Sequence, residues 1–403
     1  MTRFDPTSLL TARSRTADEG AIIRMAQKSR DLRAKGMDVV SLTVGEPDFD
    51  TPLNIQDAAT AAMKAGFTHY SPVQGIPELR QALSAKLKRE NGLDYSAAEI
   101  CLANGAKQAI ANAVLSLVDH GDEVIMLAPF WVSYEITVRF AGGTPVVLPS
   151  TVAENYKVPA SRIAAAVTPR TKLLILNSPS NPTGAVWTET ELADIATIVQ
   201  AHPRMMVLSD EIYEYILFDG KMASIGALPG MRERTVTVNG FSKGFAMTGW
   251  RLGYAAAPEP VTRAMMRMQS TFTAGANQFV QRAALAALEG PRDEVERMRQ
   301  LYRHRRDMVL AGLRAIPGVQ IGDIPATFYA FPDVSALLGK AAGNHVMDTT
   351  DALCDWLLEE HGLAVVPGTA FGAPGSIRLS FAASEDEIAK ALDRLARALT
   401  SLA

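Results

Sequence analysis

Residues 239–254 read Asn-Gly-Phe-Ser-Lys-Gly-Phe-Ala-Met-Thr-Gly-Trp-Arg-Leu-Gly-Tyr, and they follow the apolar segment 236–238. Lys243 therefore lies just after a predicted strand, and Arg251 lies eight residues beyond it. An ammonium group beside apolar strands is costly to bury unless its charge is paired or removed. A lysine that forms a Schiff base with an aldehyde has a chemical reason to lie there, and an arginine nearby can hold a phosphate. Taken alone, the stretch favours a solvated lysine, so the rest of the chain decides.

The composition indicates a globular protein with a large core, because 48% of the 403 residues are hydrophobic and 21% are charged. This length suggests roughly two or three domains. A net charge of −3 gives no electrostatic reason to expect nucleic acid or an anionic membrane as a partner. Cys101 and Cys354 lie in apolar surroundings, so we expect reduced core thiols. Without an apolar signal segment or a long uncharged apolar run, the chain is expected to be soluble and cytoplasmic.

Short apolar strands alternate with helical patterns over the first two thirds of the chain. The predicted strands are 39–44, 100–103, 124–127, 146–148, 173–176, 206–208, 236–238 and 253–257. This alternation predicts an α/β fold, in which a mostly parallel sheet is covered by helices on both faces. Ligands of such sheets bind beyond the carboxyl ends of the strands. Polar residues occur repeatedly at those ends: Asn104, Gly105, Trp131, Asn177, Asn181, Asp210, Tyr213 and Lys243.

The pattern changes after about residue 290. A long charged helix is predicted at 291–315, followed by shorter strands at 328–331, 363–366 and 377–381 and a last helix from Glu385. We expect a second, smaller α+β layer, which the helix predicted at 21–35 completes after a polar arm at 1–20. The predicted division is therefore 1–46, an N-terminal arm and helix that join the small domain, 47–290, a large domain, and 291–403, the rest of the small domain.

The turn between strand 100–103 and helix 106–118 has the geometry that aims free backbone N–H groups at an anion. Its sequence is neither a Walker motif nor a dinucleotide fingerprint. The six histidines are scattered without metal-binding spacing, so no metal site is predicted. No nucleophile elbow supports hydrolysis by a serine triad.

Six motifs together resemble those of the fold-type I pyridoxal phosphate (PLP) aminotransferases of class I/II, specifically the bacterial aspartate aminotransferase subgroup I-beta. The motifs are Gly-Glu-Pro-Asp-Phe at 45–49, Asn-Gly-Ala-Lys-Gln at 104–108, Trp-Val-Ser-Tyr at 131–134, Asn-Pro-Thr-Gly at 181–184, Asp-Glu-Ile-Tyr at 210–213, and Ser-Lys at 242–243 with Gly-Trp-Arg at 249–251. The resemblance covers almost the whole chain after residue 20. It implies a large domain with a mostly parallel seven-stranded sheet between helices, a smaller α+β domain, and PLP as the cofactor.

The resemblance gives most of these strand-end residues a role. Lys243 would form the Schiff base with the cofactor aldehyde, and Asp210 would pair with the pyridine nitrogen and keep it protonated. Tyr213 and Asn181 would donate hydrogen bonds to the phenolic oxygen, and Trp131 would stack over the ring. Taken singly, Asp210 is equally typical of a helix cap, and Tyr213 and Trp131 are typical of core packing.

The resemblance also implies how the phosphate is held. The phosphate-binding set is Arg251, Ser242 and the backbone N–H groups near Gly105, Ala106 and Lys107. Many relatives have a further hydroxyl residue three positions before the lysine, where this chain has Gly240, so one phosphate contact is expected to be missing. Tyr70 follows a loop that reaches the neighbouring subunit's phosphate in relatives, which implies a homodimer with shared active sites.

Arg378 interrupts an apolar strand, and the residues alone favour a structural salt bridge. The resemblance instead makes Arg378 a two-pronged clamp on the substrate α-carboxylate, which the backbone of Gly45 would also approach. Trp131 and Asn181 would border the substrate as well. Lys107 is equally compatible with binding a distal carboxylate and with lying at the surface.

The N-terminal helix entry reads Gly-Ala-Ile-Ile-Arg at 20–24. In aspartate-specific relatives, small hydroxyl residues are common there. An apolar lid would tolerate aromatic or aliphatic substrates, whereas Arg24 could supply a second cation.

The predicted reaction is a two-stage transfer of an amino group from an L-amino acid to a 2-oxo acid, with aspartate and 2-oxoglutarate giving oxaloacetate and glutamate. Lys243 would move the Cα proton as general base and acid, and the kinetics would be ping-pong. Aromatic, alanine-type or prephenate amino transfer are the alternatives within the family. From other classes, a C–S lyase of the same fold and a non-enzymatic PLP-fold regulator remain.

Overall fold

The computed structural model describes residues 5–11, 14 and 20–402 of the chain. Most of the polar arm predicted at 1–20 lies outside these residues. The strands are β1 (Val40–Ser41), β2 (Ile100–Ala103), β3 (Glu123–Leu127), β4 (Thr144–Leu148), β5 (Thr171–Asn177), β6 (Met206–Asp210), β7 (Thr235–Gly240), β8 (Gly253–Ala256), β9 (Tyr329–Ala330), β10 (Ala341–Ala342), β11 (His345–Val346), β12 (Leu363–Ala364), β13 (Val366–Pro367) and β14 (Ile377–Ser380). The helices are α1 (Ala21–Ala34), α2 (Leu53–Lys64), α3 (Pro77–Lys86), α4 (Ala106–Leu117), α5 (Ser133–Phe140), α6 (Ala160–Ala166), α7 (Glu189–Ala201), α8 (Glu259–Phe272), α9 (Gln278–Glu289), α10 (Asp293–Arg314), α11 (Thr350–His361) and α12 (Glu385–Thr400).

The main sheet has seven strands in the order β2-β8-β7-β6-β5-β3-β4. Its neighbours pair in parallel except β8, which is antiparallel to both β7 and β2. The predicted mostly parallel sheet of seven strands is therefore confirmed. The continuous apolar run in β5 follows from burial on both faces: Leu173 packs in the cluster that contains α4 and α8, and Leu174 packs in the cluster that contains α7.

The register of the sheet brings polar strand ends together. Asn177 at the end of β5 lies beside Asp210 at the end of β6, and Asp210 lies beside Val238 of β7. Lys243 follows β7 by three residues. Because parallel strands end at one edge, residues that are far apart in the chain meet there.

A second layer packs over this edge. It contains the antiparallel strands β13-β14-β9, the parallel pair β1-β12, and α11 and α12. Its core includes Met25 of α1, Tyr302 of α10 and Leu395 of α12. The first turns of α10 pack elsewhere, since Val295 and Met298 lie in a cluster of the main-sheet layer. The boundaries expected at 46/47 and 290/291 stay a prediction.

Two predicted strands are wrong in extent. Residues 363–366 form two strands rather than one, because β12 pairs with β1 and β13 pairs with β14 in another sheet. The strand predicted at 39–44 is limited to β1. The N–H of Leu42 still donates to Ala364 of β12, but its carbonyl accepts from Ser380 N of β14, so the chain leaves the pairing with β12 after Leu42.

The predicted core thiols are confirmed, because Cys101 and Cys354 are both buried and free. Among the described residues, no helix has the length and apolar character needed to cross a membrane.

Candidate active site

A cavity of about 1280 Å³ opens at the carboxyl edge of the main sheet, between this sheet and the second layer. Most of the residues predicted for the site line it: Gly45, Ala106, Lys107, Trp131, Asn181, Asp210, Tyr213, Ser242, Lys243, Arg251 and Arg378. Gly105 lies directly behind Arg251 rather than in the lining. Tyr70 is 93% exposed and lies outside the cavity of its own chain.

Asp210 ends β6 with its carboxyl group buried. The hydroxyl of Tyr134, on α5, donates to Asp210 Oδ2 at 2.7 Å, and the backbone N–H of Ile212 donates to Oδ1 at 3.2 Å. Burial raises the pKa of Asp210 to about 6, and the bonds from Tyr134 and Ile212 and the charge of Lys243 oppose this rise. The site thus holds a carboxylate that can pair with a cationic ring.

Sequence reasoning assigned no role to Tyr134. The available signal was its spacing, because Tyr134 lies three residues after Trp131 in the same motif. The two rings pack edge to face with centroids 5.4 Å apart. Tyr134 therefore links the predicted ring-stacking residue to the buried carboxylate.

Lys243 is half-buried, and its Nζ donates to the carbonyl oxygen of Gly45 at 2.5 Å. Burial lowers the pKa of this amine to about 8; Glu46 raises it, and Arg378 lowers it further. A sizeable fraction of the amine is therefore unprotonated near neutral pH. Such an amine can act as a nucleophile toward an aldehyde and as a general base.

Arg378, on β14, is only 1% exposed. Its guanidinium donates to Asn181 Oδ1 at 3.2 Å and to the Thr43 carbonyl at 2.6 Å, and its Nε has no partner among the described residues. Among the described residues, Arg378 forms no ion pair. The structural salt bridge that the residues alone favoured is therefore absent from this part of the structure. A buried cation without a counter-charge is costly, which makes this position suited to a ligand carboxylate.

Tyr213 and Asn181 are tied into the same wall of the cavity. The hydroxyls of Tyr213 and Tyr329 share a hydrogen bond of 2.9 Å, and burial raises the pKa of Tyr213 well above its usual value. The backbone N–H of Asn181 donates to Asn177 Oδ1 at 2.8 Å, and Asn177 Nδ2 donates to the carbonyl of Asp210 at 2.9 Å. Asn177 thus fixes Asn181 relative to the strand end that carries Asp210.

The turn from β2 into α4 forms an anion-binding corner. Gly105 has φ +88°, and a Cβ there would lie 2.5 Å from Nη2 of Arg251. Only glycine allows this approach of arginine to the start of α4, where free N–H groups favour anions. The absence of a side chain at Gly240 fits close packing, because a Cβ there would lie 3.0 Å from Gly253 Cα and 3.1 Å from Leu252 O. A hydroxyl side chain at position 240 would therefore be tightly packed against its neighbours.

Lys107 is exposed, yet it lines the cavity with its Nζ 5.1 Å from the centroid of the Trp131 ring. Burial lowers the pKa of Lys107, and the nearby charge of Arg251 adds to the effect. In the part of the chain that the structure describes, Lys107 has no carboxylate partner. The side chain reaches solvent and also lines the cavity, so binding of a distal carboxylate by Lys107 stays a prediction.

Comparisons with known proteins agree with this architecture. Residues 37–395 match the family described as Aminotransferase class I and II. An aspartate/prephenate aminotransferase of Cereibacter sphaeroides is 43% identical over 376 residues, which are 93% of this chain and 94% of that protein. The crystal structure of an aspartate aminotransferase from Rhizobium meliloti superposes with a TM-score of 0.94 at 38% identity, over 98% and 99% of the two chains. An aspartate aminotransferase from Thermus thermophilus with maleate gives a TM-score of 0.91 at 43% identity, over 96% and 99%.

The fold, with a lysine, a buried carboxylate and an arginine at the edge of a mostly parallel sheet, is that of fold-type I PLP enzymes. Within that class, the chain belongs to the aminotransferase class I and II family. It is an aminotransferase that depends on PLP. The residues present fit the cofactor, because the cavity offers an amine of lowered pKa, a buried carboxylate, and an anion-binding corner that a Cβ at Gly105 would fill.

Proposed function

We propose that this aminotransferase transfers the amino group of L-aspartate to 2-oxoglutarate, giving oxaloacetate and glutamate. The observation that carries the proposal is Arg378, a buried guanidinium with an unpartnered Nε in the same cavity as Lys243. It suits the α-carboxylate of an amino acid and of a 2-oxo acid alike. Lys107, which has no carboxylate partner among the described residues, suits the second carboxylate. Similar proteins are named aspartate and aspartate/prephenate aminotransferases, which supports the same substrate class.

Five residues would bind the cofactor ring. When bound, PLP supplies an aldehyde and an electron-accepting ring. Asp210 would pair with the ring nitrogen as a carboxylate, and the hydrogen bond from Tyr134 favours the charged form of Asp210. Tyr213 and Asn181 would donate to the phenolic oxygen, and Trp131 would cover the ring. The Lys243 amine would hold the aldehyde and would move the proton at the substrate Cα.

The phosphate would be held at the corner formed by β2, α4 and the segment after β7. The groups involved are the Arg251 guanidinium, the Ser242 hydroxyl, and backbone N–H groups at Gly105, Ala106 and Lys107. Gly45 would bring its backbone to the substrate beside Arg378. Gly45 packs closely against Tyr329, since a Cβ at this position would lie 2.4 Å from the Tyr329 hydroxyl.

The active form is proposed to be a homodimer with shared active sites. Tyr70 supports this assignment, because its side chain is 93% exposed and lies outside the cavity of its own chain. Tyr70 would contact the phosphate bound by the partner. Sedimentation should give twice the 43.3 kDa chain mass, and Tyr70→Phe should weaken cofactor binding; a monomer with full activity would contradict the proposal.

Two further assignments accompany the reaction. The chain is divided into a large cofactor-binding domain at 47–290 and a small domain formed by 1–46 and 291–403, which the mixed core of α1, α10 and α12 supports. A cytoplasmic location is supported by the two buried free thiols.

The substrate assignment is tested by kcat/KM for aspartate, phenylalanine and alanine with 2-oxoglutarate as the acceptor. Aspartate should be preferred, and the two half-reactions should give ping-pong kinetics. Prephenate is the second candidate, because it also carries two carboxylates and similar proteins are named for it. Release of ammonia from the amino acid without an acceptor would instead indicate a lyase.

A further inference from the structure

Arg24 lies on α1 at the side of the cavity, with 53% of its side chain exposed. Its Nη2 lies 3.4 Å from Oδ1 of Asp351, on α11. This is a long contact for a charge-assisted hydrogen bond, which usually spans about 2.7–2.9 Å. Arg24 is therefore held only loosely by its partner.

Asp351 is stabilised without Arg24. The hydroxyl of Thr369 donates to its Oδ2 at 2.6 Å, and the carboxylate lies in the first turn of α11, where the helix dipole favours negative charge. Thr369 and Asp351 both line the cavity. If the contact with Arg24 were lost, Asp351 would keep the hydrogen bond from Thr369 and the stabilising field of the α11 dipole.

Two other cationic side chains, Arg139 and Lys107, line the outer part of the cavity, and they differ in whether a carboxylate pairs with them. Arg139 donates two hydrogen bonds to Glu135, at 3.0 and 2.7 Å, and is therefore neutralised. Lys107 lies over Trp131 without a carboxylate among the described residues. Arg24 and Lys107 are thus the outer cations of this part of the structure whose charge is weakly paired or unpaired.

We propose that Arg24 is a specificity-determining residue that exchanges Asp351 for the side-chain carboxylate of an acidic substrate. The proposal rests on the proposed function and extends it, since Arg24 and Lys107 would approach the distal carboxylate from two elements. With a substrate whose side chain is uncharged, Arg24 would stay paired with Asp351. Ile22 and Ile23 of the same helix line the cavity and would border such a side chain.

The test compares Arg24→Gln with Lys28→Ala in the holoenzyme. Lys28 is the matched control, because it lies one turn further along α1 and pairs with Asp355 and Glu359 of α11 at 2.5 and 2.7 Å without lining the cavity. Calorimetry gives Kd for maleate, a dicarboxylate that cannot be transaminated, and kinetics give KM and kcat for aspartate and alanine.

Arg24→Gln should raise Kd for maleate and KM for aspartate about tenfold, the effect of one charge-assisted hydrogen bond. The values for alanine and kcat for aspartate should change less than about twofold. Lys28→Ala should leave the ratio of aspartate to alanine unchanged. An equal loss for both variants, or an unchanged Kd in Arg24→Gln, would overturn the proposal.

A second variant isolates the exchange of partners. Asp351→Asn should tighten maleate binding when Arg24 is present and should give no such gain in the Arg24→Gln background. The same gain in both backgrounds would mean that Arg24 is not the group released. A wild-type enzyme that transaminates alanine but neither binds maleate nor uses aspartate would overturn the proposed function itself, which separates that failure from this one.

Discussion

The hydroxyl of Tyr134 donates a 2.7 Å hydrogen bond to the buried carboxylate of Asp210, 76 residues further along the chain. Burial raises the pKa of Asp210, and this bond acts in the opposite direction. Because a hydrogen bond to the charged form favours that form, Tyr134 helps to keep the carboxylate ionised in the folded protein.

Tyr134→Phe should move the acid limb of the pH–activity profile upward. Without the hydroxyl, the pKa of Asp210 rises above about 6, so more of the enzyme carries a protonated carboxyl near neutral pH. The profile of kcat/KM against pH measures the shift. The control is Tyr156→Phe, which loses a 2.7 Å hydrogen bond to the carbonyl of Phe331 outside this cavity. A shift of equal size in the control would contradict the assignment.

Asp210→Asn should stabilise the cofactor-free protein at alkaline pH while removing activity. The pKa of Asp210 is raised in the folded state from 3.8 to about 6. Its contribution to stability is therefore present below pH 3.8 and is lost as pH rises through about 6. At pH 8 the free energy of unfolding of the wild type should therefore be about 3 kcal/mol lower than that of Asp210→Asn, whose side chain carries no charge.

Urea unfolding of the cofactor-free proteins at several pH values measures this difference. The advantage of Asp210→Asn should shrink as the pH is lowered from 8 toward 4. Asp57→Asn, an exposed position on α2, provides the control and should show no such trend. An advantage that does not depend on pH would mean that the buried charge is not its source.

Capture of the cofactor by the cofactor-free protein should depend on the free amine of Lys243. Because burial lowers the pKa of this amine to about 8, the rate should rise with pH up to about 8 and then level off. Stopped-flow absorbance measures the rate. Pyridoxamine phosphate, which has no aldehyde, should bind at a rate that does not rise with pH in this way.

Lys243→Ala should bind the cofactor without turnover and without labelling by borohydride. Retained turnover would refute the role of Lys243 as the Schiff-base lysine.

Gly105→Ala should weaken cofactor binding through the phosphate. The added Cβ would lie 2.5 Å from Arg251 Nη2, so the arginine must move. Gly121→Ala is the matched control, because its φ of +87° carries similar strain but a Cβ there meets nothing within 4 Å. Titration should show about tenfold weaker binding of PLP and of inorganic phosphate for Gly105→Ala alone. Equal losses in the two variants would assign the effect to backbone strain.

Much of the fold and of the site follows from local patterns in the sequence. The apolar run 173–176 predicted a strand, and the charged pattern at 291–315 predicted a long helix; the structure confirms both as β5 and α10. Polar residues after such runs were placed at strand ends because turn chemistry is encoded within a few residues.

Contacts between distant segments could not be predicted in this way. The bond from Tyr134 to Asp210, the bond from Arg378 to Asn181, and the division of 363–366 between two sheets each depend on which strands become neighbours. The loose pairing of Arg24 with Asp351 joins two helices that are 327 residues apart in the chain.

The sequence by itself determined the alternation of strands and helices, the position of Lys243 after a strand, and the family motifs, because each depends on neighbours in the chain. Only the tertiary structure decided the pKa of the buried groups and the partners of Arg378 and Arg24. Burial and electrostatic interactions act through space, and their strength is set by the strand order and by the packing of the second layer over the sheet edge.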